Sequence, residues 1–336
     1  DANVRMADIT GDGITDIVMS FADGGRDTWK VWRNSGNAPD LLAKITTTQG
    51  GTVNFDYASS TQVDNTGPDS LSDLAYPMWL VTKMTVANDM TTLQMTTDVT
   101  QYNYSNGLYD YFDREFRGFG TVDETSPNTA KKKYVFNQDD ALKGLLSEVQ
   151  TRDAQSNPFA ETKNSWSSSQ SNGVYTVSLT QEKNYTYDGL AAGPKITQTD
   201  YQYDSYGNVT KKSELGDTSA IGDERFNYFE YAINPSLWII NSLKHTYLNG
   251  SDDSTKASEN WFYYDSNIGL DDVPTKGDVT RDVKWSNVTG LSNPTTLYEY
   301  DSFGNQTKIT NANNRATQQA YDTSATYPIS TTNAKN

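Results

Sequence analysis

The chain has 336 residues, with 43 Asp and Glu against 27 Lys and Arg, a formal net charge of −16, and no cysteine. That balance argues against nucleic acid and anionic membranes as partners, since both want a basic face, and it leaves no disulfide framework or thiolate chemistry. Hydrophobic residues make up 35% and mean hydropathy is −0.73, yet 22 residues are tyrosine. That is too little aliphatic side chain for a thick dry core and too many rings for a disordered chain. A sheet wet on both faces, held by cross-strand aromatic pairs and backbone ladders, satisfies both counts. The acidity and the many Asn, Ser and Thr suit a secreted or cell-surface protein.

The chain opens "DANVRMADIT" with no basic start or apolar leader, and it begins mid-motif, so it reads as a fragment or a processed piece. Residues 8–16, DITGDGITD, place carboxylates at alternate loop positions. Asp8, Asp12 and Asp16, with the Thr10 hydroxyl and the Ile14 carbonyl, would form an oxygen cage for calcium, and Gly13 would allow the sharp turn. The alternative is an Asp/Gly-rich hairpin turn without an ion.

Downstream the pattern is that of strands. Trp29, Val31 and Arg33 alternate with Lys30 and Trp32; Val53, Phe55 and Tyr57 alternate with Thr52, Asn54 and Asp56. Residues 108–124, LYDYFDREFRGFGTVDE, mix Tyr109, Tyr111, Phe112, Phe116 and Phe119 with acids and arginines. In a wall without an oily interior, rings would pack between strands while charges face water, and Gly118 and Gly120 would permit close approach. Lys131–Lys133 is expected at a solvated strand edge. Residues 139–153 read as a short turn leading into a strand, and residues 174–180 alternate again. No apolar run reaches membrane-spanning length. The class expected is all-β.

Residues 201–214 and 298–311 share Y-x-Y-D-S-(aromatic)-G-N-x-T-K, with weaker relatives from Asn184, Trp261 and Ala320. A strand ending Tyr-x-Tyr-Asp would meet a tight turn in which Gly-Asn supplies positive φ and the Asp accepts backbone N–H bonds. The next strand would start at Val209 or Gln306. Such hairpins cannot bury their aromatic faces alone, so they must stack side by side.

These motifs resemble the RHS, or YD, repeat. Residues 113–120, DREFRGFG, look like a segment of the B component of Tc insecticidal toxin complexes and of SpvB-type proteins. Residues 40–61, 76–89 and 136–157 also resemble segments of that family, in family order. Residues 8–16 resemble the calcium loop of FG-GAP/VCBS repeats. The resemblance implies residues 1–36 as the end of a β-propeller-type blade and residues 37–336 as an RHS/YD-repeat hairpin sheet. In that family the sheet forms part of a hollow, cocoon-like shell around a C-terminal toxic cargo. The implied partners are the rest of the shell, its cargo and a pore-forming translocation component, in a bacterial secreted or surface setting. Nothing like the family's Asp-, Pro-, Gly- and Tyr-rich closing segment follows Tyr327, so self-cleavage, plug and toxin are expected outside this piece.

Enzymatic signals are poor. His245 is the single histidine, expected to be exposed or hydrogen-bonded rather than a general base. The pairs Asp139-Asp140, Asp252-Asp253 and Asp271-Asp272 are strand or turn neighbours that would point apart, and read as solvated turns. The expected role is structural and not enzymatic. A glycan-binding adhesin using Trp29, Trp32, Trp166, Trp238, Trp261 and Trp285 is the alternative, and a hydrolase ranks last.

Overall fold

A computed structural model describes residues 3–23, 26–36, 40–67, 69–88, 97–187 and 193–334. The expected all-β class holds: among the described residues the only helical elements are 3-10 turns at Ser60–Gln62 and Pro235–Leu237. Among the described residues, no helix is long and apolar enough to cross a membrane. The chain divides into two compact units. One comprises Asp1–Asn164, Ser168–Val177 and Asn184–Pro194, and the other Ser165–Ser167, Ser178–Lys183 and Lys195–Asn336.

The first unit begins with a three-stranded antiparallel sheet, β1 (Asn3–Ala7), β2 (Asp16–Asp23) and β3 (Arg26–Trp32). Gly24-Gly25, between β2 and β3, lie outside the described residues. One face carries Val4, Met6, Ile17, Phe21 and Trp32, all between 37% and 75% exposed. The other face buries Asp16 and Val18.

A meander follows: β4 (Lys44–Thr46), β5 (Thr52–Ser59), β6 (Trp79–Ala87), β7 (Thr97–Asp110), β8 (Glu115–Thr125), β9 (Lys131–Phe136), β10 (Leu146–Arg152) and β11 (Pro158–Ser171). Each strand pairs antiparallel with its sequence neighbour. The expectation for Lys131–Lys133 is corrected here. β9 is paired on both sides, with Lys132 opposite Glu124 and Lys133 opposite Asp123. The acids on β8 turn a run that would repel a partner into cross-strand charge pairs. The turn expected before β10 occupies residues 139–144, as read.

β12 (Val174–Thr186) has residues in both units. The second unit is a second antiparallel meander. It runs through β13 (Lys195–Tyr203), β14 (Val209–Asp217), β15 (Arg225–Asn234), β16 (Ile239–Asn249), β17 (Lys256–Tyr264), β18 (Val279–Lys284), β19 (Thr295–Tyr300), β20 (Gln306–Thr310), β21 (Ala316–Tyr321) and β22 (Pro328–Thr332). The strands after the two strict repeats start at Val209 and Gln306, as expected.

Among the described residues, only Val18, Leu80, Ala232 and Tyr264 form a buried hydrophobic set. Burial of aliphatic side chains therefore cannot be the main source of order, and the side-chain hydrogen bonds gain importance.

Candidate functional site

The repeated site is a latch between adjacent strands. Tyr57, Tyr104, Tyr203, Tyr231, Tyr264, Tyr300 and Tyr321 each donate a phenolic hydrogen bond to a backbone carbonyl earlier in the meander. The acceptors are Leu42, Val81, Leu179, Val209, Leu243, Val279 and Gln306, at 2.8–3.4 Å. A tyrosine suits this place because its ring fills the gap between strands while its hydroxyl satisfies a carbonyl. Burial pushes the phenols of Tyr104, Tyr203, Tyr231 and Tyr264 above the ordinary tyrosine value.

Six of these seven tyrosines follow a register shift in the pairing with the next strand: Asp56/Tyr57, Gln202/Tyr203, Glu230/Tyr231, Tyr263/Tyr264, Glu299/Tyr300 and Ala320/Tyr321. The extra residue on the next strand is a threonine at Thr82, Thr210, Thr280 and Thr307. The hydroxyls of Thr82, Thr280 and Thr307 bond back to the carbonyls of Asp56, Tyr263 and Glu299, each the residue before its latch tyrosine. A β-bulge bends its strand and re-aims side chains, and the threonine closes the gap that the bulge opens. This explains the Thr before the final Lys of the sequence motif, to which sequence reading assigned no role.

The turns are organised by the motif's Asp and Asn. Asp204 Oδ1 accepts the N–H groups of Tyr206 and Asn208, and Asp301 Oδ1 accepts those of Phe303 and Asn305. The expected Asx-type turn is thus present. Gly207 and Gly304 adopt φ of 87° and 86°, but Asn208 and Asn305 do not share the positive φ expected of a Gly-Asn pair. Their function is in the side chain. Asn208 Nδ2 donates to Asp204 Oδ2 at 2.9 Å and to the Ile240 carbonyl at 2.7 Å; Asn305 Nδ2 donates to Asp301 Oδ2 at 2.9 Å and to the Ala325 carbonyl at 2.8 Å. Each asparagine therefore stitches its own turn to a later hairpin. Burial pushes Asp204 up but is outweighed by the bonds from Asn208, Tyr206 and Gly207, and Asp301 is lowered chiefly by Asn305.

The same device recurs where the sequence motif is degenerate. Asp153 holds the N–H and side-chain amide of Asn157, and Asp322 accepts the N–H groups of Thr326 and Tyr327. Asp265 gathers the N–H groups of Thr275, Lys276, Gly277 and Asp278 across a long connection. Part of the degenerate copy beginning at Asn184 lies outside the described residues. The Asp153 turn had no tyrosine signature, and only the Asp-to-Asn spacing of four shared with the strict repeats could have found it.

In the 108–124 stretch, Arg117 is the hub. Its side chain is 4% exposed and pairs with Asp110 and Asp113 at 2.9 and 2.8 Å and with Asp140, while Nη1 donates to the Gln138 carbonyl at 3.2 Å. Burial works against the guanidinium's charge, but the three carboxylates outweigh it and raise its pKa. Around the hub, Tyr76, Tyr109 and Tyr111 pack edge to face, as do Phe116 and Phe119, and Tyr104 tilts onto Phe119. The expected mixture of packed rings and charges holds, with two corrections. Phe112 is 98% exposed at the hairpin tip, where no second strand covers it. Gly118 has open space beside it and adopts φ of 86°, so only Gly120 permits a close approach, to the Gln138 side chain.

The adjacent acids divide their labour. Asp139 and Asp252 cap turns, as solvated turn residues do. Their neighbours instead hold partly buried cations: Asp140 meets Arg117, and Asp253 takes Lys211 at 2.7 Å and the Tyr228 hydroxyl at 2.8 Å. Reading all of these as solvated is corrected, because neighbours that point apart can serve one turn and one strand face. His245 is hydrogen-bonded, as expected. Its Nδ1 lies 3.3 Å from Glu230 and its Nε2 2.9 Å from Glu259, and its ring stacks on Trp261 at 4°. Both ring nitrogens face carboxylates, one on each neighbouring strand. This is a cross-strand clamp with no nucleophile in it.

In the Asp8–Asp16 loop, Asp8 Oδ1 accepts the N–H groups of Gly11 and Asp12, its Oδ2 accepts that of Gly13, and Asp12 caps Ile14. The Thr10 hydroxyl turns to Asp8 at 3.4 Å. Asp16 is fully buried and accepts the N–H groups of Asn34 and Ile9, which hold it below the usual carboxylate range. The loop packs on the Ser60–Gln62 turn through Thr61 and Gly11, and the Trp79 indole occupies the space beside Gly13. Among the described residues, the one group of three acids whose oxygens converge within 4.8 Å is Asp110, Asp113 and Asp140, which already surrounds Arg117.

Comparison with known proteins adds to this geometry. Residues 1–146 match the family model described as the insecticide toxin TcdB middle/N-terminal region. No curated protein shows significant similarity. Among solved structures, the chain is similar to TcdB2-TccC3-TEV (TM-score 0.67, 13% identity, 99% of this chain and 25% of that one). It is also similar to TcdB2-TccC3 (0.65, 14%, 99% and 26%). The Tc holotoxin pore of Photorhabdus luminescens carrying a TccC3 mutation is a further match (0.67, 14%, 99% and 24%). The chain thus spans about a quarter of the length of the structures it matches.

Proposed function

We propose that this chain, which resembles the B component of Tc toxins in its first 146 residues and in its fold, is a wall segment of a bacterial Tc-type toxin shell. In this reading it has a structural role, helps enclose a C-terminal toxic cargo made elsewhere in the protein or complex, and works outside the producing cell. Its partners are the rest of the shell, the cargo and a pore-forming translocation component.

The observation that carries this reading is the latch. Tyrosine, bulge and asparagine contacts tie strand to strand through polar groups, and among the described residues only Val18, Leu80, Ala232 and Tyr264 are buried hydrophobics. A sheet stabilised in this way keeps its order with solvent on one face and a polar cavity on the other, which a wall requires and a solid domain does not. The exposed apolar face of β1–β3 supports the remainder-of-a-blade reading for residues 1–36, because an isolated three-stranded sheet gains little from leaving such a face in water.

The reading includes calcium at Asp8, Thr10, Asp12, Ile14 and Asp16. Asp8 Oδ2 and both oxygens of Asp16 each accept one N–H bond and so retain a lone pair for a metal, whereas Asp8 Oδ1 already accepts two. Electron microscopy of the native, full-length protein tests the main proposal. A closed hollow particle with internal density is expected. A solid or open, extended β-structure would overturn it.

A further inference from the structure

The chain contains three Asn-Gly pairs, Asn106-Gly107, Asn172-Gly173 and Asn249-Gly250. Asparagine followed by glycine is the pair most open to intramolecular attack, because glycine brings no side chain to shield its own nitrogen. The fold treats the three differently.

At Asn106 the glycine nitrogen donates to Asn65 Oδ1 at 2.9 Å in a buried setting, and the Asn106 carbonyl accepts from the Gln138 side chain at 2.8 Å. Asn249 is 8% exposed, its side chain donates to the Asp253 carbonyl at 2.9 Å, and the Gly250 nitrogen donates to the Thr255 carbonyl at 2.8 Å. In both pairs the attacking nitrogen is held by a hydrogen bond, and in the Asn249 pair the attacked side chain is held as well.

Asn172-Gly173 forms the turn between β11 and β12 with φ of 51° and 79°. Every residue from Ser167 to Thr176 is exposed, and there is open space beside Gly173. Among the described residues, neither the Asn172 side chain nor the Gly173 N–H has a hydrogen-bond partner.

We infer that Asn172 is a site of spontaneous, succinimide-mediated deamidation, selected by the fold over the other two Asn-Gly pairs. The Gly173 nitrogen forms a bond to Cγ of Asn172 and gives up its proton. The Cγ–Nδ2 bond breaks, and that nitrogen leaves as ammonia with the proton, closing a five-membered imide. Water, the one co-reactant, adds to either imide carbonyl and opens the ring to aspartate or isoaspartate. The product places one more negative charge at the hairpin tip, and isoaspartate adds a backbone methylene to a two-residue turn.

The test is peptide mass spectrometry of the intact chain aged in mildly alkaline buffer, with a second sample aged in urea. Trypsin releases residues 164–183 between Lys163 and Lys183, and fragment ions separate Asn172 from Asn164. In the folded chain, Asn172 should convert at least roughly tenfold faster than Asn106 and Asn249, the factor that one or two retained hydrogen bonds supply against local opening. In urea the three should converge. Equal rates in the folded chain, or protection of Asn172 when folded but not in urea, would overturn the assignment. Fragment ions that place the new acid at Asn164 and leave Asn172 intact would overturn it as well.

Discussion

The Tyr300 hydroxyl donates to the Val279 carbonyl at 2.8 Å, and Val279 itself opposes Tyr264, the latch tyrosine of an earlier strand. One residue therefore serves two consecutive latches, as the pairing partner of one and the acceptor of the next. Val209 does the same, opposing Tyr203 and accepting from Tyr231. The latches form a relay from strand to strand rather than a set of isolated bonds.

Removing one hydroxyl should break one step of the relay. Tyr203→Phe and Tyr300→Phe are each expected to cost about 1 kcal/mol, the net value of one hydrogen bond, read from urea unfolding midpoints. The two latches share no partner, so their double variant should be close to additive. Tyr206→Phe is the control: that ring is 40% exposed at a turn, and no change is expected.

Arg117→Ala should be more damaging. It strips the cation from Asp110, Asp113 and Asp140 at once. Asp113 and Asp140 are 52% and 54% exposed, so water recovers part of the loss and about 3 kcal/mol is expected, the low end for breaking a buried pair. Arg117→Lys restores charge without the planar fork and should recover only part of it. Chemical denaturation of both variants against the parent distinguishes these outcomes.

Stability should fall at both ends of the pH scale for different reasons. Asp204, Asp265, Asp301 and Asp322 are held below the ordinary carboxylate range, although burial opposes this at Asp204 and Asp265. A carboxyl depressed on folding contributes stability above its unfolded value of about 3.9 and loses it as pH falls through the lower folded value. The acid limb should therefore begin near pH 4 and be shallower in Asn305→Ala, where the chief cause of the shift at Asp301 is gone. Tyr298 is pushed up to about 12 by burial and by the Asp282 carboxylate 3.0 Å away. A raised phenol contributes stability that is complete below its unfolded value of about 10 and is lost as pH rises through the folded value. Tyr298→Phe should flatten that alkaline limb in a pH series of urea midpoints.

Calcium binding to the Asp8–Asp16 loop is expected to appear in calorimetry of the full protein and to vanish in Asp12→Asn/Asp16→Asn. No heat of binding from the parent protein would rule out calcium there and leave the loop as an amide-wrapped turn.

Much of this protein is written in its local sequence. Alternation and turn residues were enough to expect an all-β chain, the repeat boundaries at Val209 and Gln306, and the aspartate turn, because strand pleat and turn chemistry act over a few residues. Low aliphatic content together with many tyrosines implied a sheet wet on both faces. Other features depend on which strands lie side by side. The acceptor for each tyrosine is 15 to 24 residues away, and the motif's Thr and Asn acquire meaning only from a bulge and a later hairpin. Lys131–Lys133 reads as an edge until Asp123 and Glu124 lie opposite it. Arg117 draws its acids from both its own hairpin and Asp140. Register and strand order are properties of the ladder as a whole, so the tertiary structure alone decided those partners.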